Sequence, residues 1–82
     1  MQRYLVERTF PAGPWPHGDA GLDAHARQGV TWLHSYVTPN RQRSYCICDS
    51  PSPEAIRRAA RSNDLPVDRI TEVRVLDPYG LD

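Results

Sequence analysis

Residues 30–49 read VTWLHSYVT (Val30–Thr38), PNRQ (Pro39–Gln42) and RSYCICD (Arg43–Asp49). The two outer runs are rich in β-branched and aromatic residues, which pack well on a pleated, half-buried surface. Pro39 and Asn40 between them carry turn chemistry. The stretch therefore predicts a β-hairpin. With Pro39 opposite Gln42, His34 and Tyr36 share one face with Tyr45 and Ile47, and Leu33, Val37, Cys46 and Cys48 point the other way. A slip of one residue would set His34 beside the cysteines instead. The first register is preferred because it keeps both small thiols in the core beneath alanine-bearing helices.

Working outward, Ser50-Pro51-Ser52-Pro53-Glu54 follows the hairpin. Ser52 is a good N-cap, Pro53 suits the first helical position, and Glu54 favours the positive helix end. The helix should run to about Asn63, with Ala55, Ile56, Ala59 and Ala60 toward the sheet, until Asp64-Leu65-Pro66 stops it. Ile70–Leu76 (ITEVRVL) reads as a last strand ended by Pro78. Before the hairpin, Tyr4–Phe10 (YLVERTF) predicts a strand with Tyr4, Val6, Arg8 and Phe10 on one face and Leu5, Glu7 and Thr9 on the other. Pro11, Gly13, Pro14 and Pro16 make a stiff loop around Trp15. Asp19–Gln28 predicts a short helix with Leu22, Ala26 and Gly29 as its apolar stripe and Gly29 as its stop.

The order is β-α-β-β-α-β, an α+β chain of the ferredoxin-like kind with an antiparallel sheet ordered 4-1-3-2 and both helices on one face. Its 82 residues make one domain, 1–82. A chain this short barely balances apolar burial against chain entropy, so a partner is expected. If Val6, Val73 and Val75 face the helices, Leu5, Glu7, Glu72 and Arg74 occupy the other side. Trp32, Tyr36, Tyr45 and Ile47 are then left on a bare face, an aromatic patch too large to stay wet. A homodimer paired through this face follows, in the manner of the dimeric α+β barrels.

Ten basic residues, all arginine, balance ten acidic ones. A neutral chain lacks the excess charge that binding to nucleic-acid phosphates requires. No apolar run is long enough to cross a bilayer. Met1-Gln2-Arg3-Tyr4 opens no secretion signal, and two thiols fit a reducing cytoplasm. Neither a phosphate loop nor a Ser-His-Asp elbow is present, so no enzyme activity is expected.

The imidazoles are His17, His25 and His34. Metals of the borderline kind take imidazole nitrogen with carboxylate or thiolate completing the shell. No two of the three stand at a ready chelating spacing. The plainer reading is a surface His17, a surface His25 and a hydrogen-bonded interface His34. Glu7 and His34 fall on the same bare face, where a carboxylate could orient the imidazole as metal ligand or base. A salt bridge from Glu7 to Arg74 is the competing use. Cys46-x-Cys48 could chelate a soft metal, but structural zinc sites show two such pairs, and buried inert thiols are the better reading. Arg57, Arg58 and Arg61 are offset by Glu54 and Asp64 and read as a solvated helix face.

Taken together, Tyr4-Leu5-Val6-Glu7-Arg8, Val30–Val37 with its Trp-Leu-His-Ser-Tyr core, Cys46–Ile56, and Leu65–Ile70 followed by Glu72-Val73 resemble a family of small bacterial nickel-binding or nickel-responsive proteins. The resemblance implies a ferredoxin-like homodimer that binds nickel and sequesters or detoxifies it. Glu7, His34 and Cys46 lie in the matching segments, whereas His17 and His25 lie in a variable part. The metal ligands expected are His34 and Glu7 and, on the chemistry of their side chains alone and not on the resemblance, His25 and His17. The alternative function is a dimeric α+β-barrel enzyme or small-molecule binder, with a pocket near Glu7 and His34 that Tyr36 and Tyr45 help to line.

Overall fold

The computed structural model describes residues 1–10 and 20–80. The elements are β1 (Gln2–Thr9), α1 (Ala20–Arg27), β2 (Thr31–Val37), β3 (Arg43–Ser50), α2 (Pro53–Ser62) and β4 (Arg69–Glu72). They form one antiparallel sheet ordered β2-β3-β1-β4, the arrangement expected of the sequence. The segment expected to form a stiff loop around Trp15, and with it His17, lies outside the described residues.

α2 forms for the reasons its sequence gives. The Ser52 hydroxyl accepts the amide of Ala55 at 3.2 Å, and Pro53 opens the helix. Ala55, Ile56, Ala59 and Ala60 are its buried face. They meet Tyr4, Val6, Val30, Cys46 and Cys48 to make the core. Small alanines let the helix approach the sheet closely, and Ile56 fills the space between.

α1 ends as a glycine-stopped helix. Gly29 takes φ +76, its amide donates to Ala26 and that of Val30 to the carbonyl of His25. These two bonds satisfy the last carbonyls and turn the chain into β2. The buried face of α1 is Ala24 and His25, while Leu22 is exposed and Ala26 faces solvent. The expected Leu22–Ala26 stripe is thus rotated away. The cause lies beneath the helix: Arg8 is buried, and a guanidinium there needs an acceptor, which His25 provides and leucine cannot.

The hairpin keeps its register from Val37↔Ser44 through His34↔Ile47, then shifts by one residue at Leu33, so that Trp32 pairs with Cys48. This β-bulge corrects the placement of Trp32. It leaves the bare face and packs against the core on the helix side. Its indole nitrogen donates to the Ser35 hydroxyl at 2.7 Å, and its ring lies 5.0 Å from His25 and 5.6 Å from the Arg8 guanidinium carbon. A bulge costs local pairing but here hides most of an indole. Leu33, expected under the helices, sits at the irregularity and is partly exposed.

β4 is shorter than expected, four residues instead of seven. Its ladder continues only to the bond from the Val73 amide to the Arg3 carbonyl. Beyond that the ladder stops, although Gln2 and Met1 still lie beside Arg74 and Val75, and the apolar alternation continues without a partner strand. In this register Val73 sits opposite Arg3, on the open face. The expectation that Val73 and Val75 face the helices is corrected; Val6 alone of the three does so, fully buried.

Candidate functional site

Both helices cover one face, and among the described residues the other is open. Cross-strand pairing places Leu5, Ile47 and His34 in one row of the open face and Glu7, Tyr45 and Tyr36 in the next. His34 is exposed, and its ring meets that of Tyr36 edge-on at 5.3 Å. Tyr36 itself is 63% exposed, a large fraction for a strand tyrosine. The open face is therefore as apolar and aromatic as the sequence implies, less the indole of Trp32.

A concavity of about 360 Å³ is sunk into this face. Leu5, Ile47, Val73 and Val75 form its apolar lining, and His34, Tyr36, Arg3 and Arg74 its polar one. The segment after β4 supplies one wall. Glu7 and Tyr45, expected to share such a pocket, do not line it; of their row only Tyr36 does. From strand spacing, Glu7 and His34 sit roughly 12 Å apart at Cα. Glu7 pairs with Arg69 in the β1–β4 ladder, not with Arg74, which lies past the end of β4. The competing Glu7–Arg74 bridge is therefore not formed.

Arg3 grips Asp49 with two parallel bonds, Nε to Oδ1 at 2.8 Å and Nη2 to Oδ2 at 3.2 Å. It is the one ion pair among the described residues. The guanidinium holds the Asp49 carboxyl below its ordinary range, and the carboxylate raises Arg3 in return. Arg74 has no such partner among the described residues.

His25 proves not to be a surface residue. It is completely buried, on the opposite side of the sheet from His34. Its Nε2 lies 3.4 Å from Nη2 of Arg8, whose Nη1 donates to the Pro66 carbonyl at 2.7 Å. A guanidinium can only donate, so Nε2 is the acceptor side of this contact. His25 thus spends one ring nitrogen on a buried arginine, and it cannot share an ion with His34.

Cys46 and Cys48 are free thiols with no exposed surface. Burial, and then the neighbouring Cys46, push the Cys48 thiol up from 9.0 to about 12; Arg8 pulls weakly the other way and Asp49 adds slightly to the rise. A buried thiol so hard to ionise is a poor nucleophile at neutral pH. Among the described residues no three His, Cys, Asp or Glu side chains converge on one point. Sequence reasoning passed over Arg3 and Arg74 as site residues. The signal available was the alternation of Arg3, Leu5 and Glu7 on one face of β1.

A four-stranded antiparallel sheet in β-α-β-β-α-β order, helices on one face, defines the ferredoxin-like class of small α+β proteins. Comparison carries this further. Residues 4–73 match the family described as nickel responsive protein SCO4226-like, so the chain belongs to that family. The fold matches the crystal structure of SCO4226 from Streptomyces coelicolor A3(2), with a TM-score of 0.73 over 92% of this chain and 99% of that one, at 20% identity. Curated proteins yield no match.

Proposed function

We propose that this chain is a nickel-binding protein that sequesters or detoxifies the ion in the bacterial cytoplasm, working as a homodimer and not as an enzyme. The observation that carries the reading is the position of His34, an exposed imidazole at the rim of an open sheet face. Nickel prefers imidazole to hard oxygen donors, and only copper stands above it in the affinity order. Family membership supports a response to nickel.

One chain's described residues do not assemble a shell. Pairing two open faces about a two-fold axis brings a second His34, with Glu7 and its copy near the rim. The same pairing hides Tyr36, Tyr45, Ile47 and Leu5 from water, so the apolar face and the metal ligand argue for one arrangement. His25, held by Arg8, keeps the core together instead of binding the ion. His17 stays a candidate on the chemistry of its side chain.

The test is equilibrium dialysis of the protein against Ni²⁺, wild type beside His34→Ala and His25→Asn, with circular dichroism to certify folding. The expected outcome is saturable uptake at micromolar Ni²⁺ that His34→Ala abolishes. Equal uptake by wild type and His34→Ala, or none by either, would refute the proposal. Protons compete for imidazole, so uptake should weaken as pH falls through the histidine range.

A further inference from the structure

We infer that the concavity of the open face is a binding site for a small organic anion, an aryl or alkyl carboxylate. Its volume, about 360 Å³, suits a ligand of that size. Leu5, Ile47, Val73 and Val75 offer a continuous apolar surface, and the exposed ring of Tyr36 stands edge-on to His34 beside it. These surfaces take a hydrocarbon body.

The charged groups decide the sign of the ligand. Among the described residues no acidic side chain lines the concavity. Glu72, the nearest carboxylate along the chain, lines a neighbouring recess that shares Arg3, Val73, Arg74 and Val75 with the concavity, but it does not line the concavity itself. Arg3 is already held by both oxygens of Asp49. Arg74 is the remaining cation of the lining, and no ion pair holds it among the described residues. Its planar guanidinium presents two parallel donors to a carboxylate, which an ammonium cannot do. His34 stands across the concavity with an imidazole able to donate a further bond. An apolar trough with a guanidinium at one wall and no carboxylate matches an amphipathic anion and repels the corresponding amine. Pairing of two chains would roof the trough and dry it, which strengthens the charge contact.

The inference is independent of nickel, and its test uses the metal-free full chain, cleared of metal over a chelating resin. Methyl and amide NMR spectra are recorded during titration with cinnamate, with its neutral amide and with cinnamylamine. Cinnamate should saturate, with the largest shifts at Leu5, Ile47, Val73 and Val75. The amide should bind about tenfold more weakly, as loss of one charge-assisted pair implies, and the amine should not bind. Arg74→Gln should erase the preference for the acid, and Arg74→Lys should restore part of it. Arg74 is exposed, so neither substitution threatens the fold. Equal affinity for acid and amide, shifts mapping to the helix face, or no saturable shift at millimolar cinnamate would each overturn the inference. Since no metal is present, these results leave the nickel titration to stand or fall on its own.

Discussion

Ionising Cys48 is the perturbation for which the structure supplies the clearest magnitude. A thiol of ordinary value 9.0 is about one-tenth thiolate at pH 8, whereas one raised to about 12 is about one ten-thousandth. Only the thiolate attacks a disulfide or an alkylating agent. The chemistry alone therefore predicts labelling of Cys48 about a thousandfold slower in the folded protein than in urea, before any steric shielding is added. The assay is iodoacetamide labelling at pH 8, quenched over time and mapped to each cysteine by mass spectrometry. Labelling of folded Cys48 within tenfold of the unfolded rate would refute the placement of this strand face under α2. The same shift sets a pH dependence. The fold favours the neutral thiol, so its contribution is whole below about pH 9 and is lost as pH rises toward about 12. Three pH units at 1.36 kcal/mol each put that loss at no more than about 4 kcal/mol, read as a falling urea midpoint in alkaline buffer.

Other outcomes follow from the same geometry. Ile56→Ala empties a fully buried site between α2 and the sheet and should cost about 2–5 kcal/mol in urea melts. Ser52→Ala removes the acceptor for the Ala55 amide and should cost about 1 kcal/mol by the same measurement. Tyr36→Arg puts like charges face to face across the proposed two-fold. Sedimentation should then give the single-chain mass of 9.3 kDa in place of twice that value, with the circular dichroism spectrum unchanged.

The sheet order, the hairpin register at its turn end, the N-cap of α2 and its four buried residues were all legible in the sequence. Each is set by local chemistry: Pro and Asn at a turn, Ser before Pro at a helix start, alanines at helical spacing. The departures share another cause, which is that they depend on a neighbour far along the chain. The bulge at Leu33 is written in no period-two pattern, because Trp32 turns inward to meet Arg8 and His25 from β1 and α1. The burial of His25 follows from Arg8, whose bonds to His25 and Pro66 span 17 and 58 residues of sequence. The early end of β4, while β1 still offers Gln2, is marked by nothing in the alternation of Val73 and Val75. The candidate site was half legible. The bare face and His34 followed from alternation, whereas the concavity needed the path of Val73–Val75 over the sheet.

The most direct test of the account is where nickel lands. Ni²⁺ is paramagnetic, and adding it in small fractions to isotope-labelled protein broadens the NMR signals of nuclei near the ion. The His34 ring signals should be lost first, followed by those of Tyr36 and Ile47, while His25 and the core of α2 stay sharp. Broadening that starts at His25, or that spreads evenly over both faces of the sheet, would contradict it.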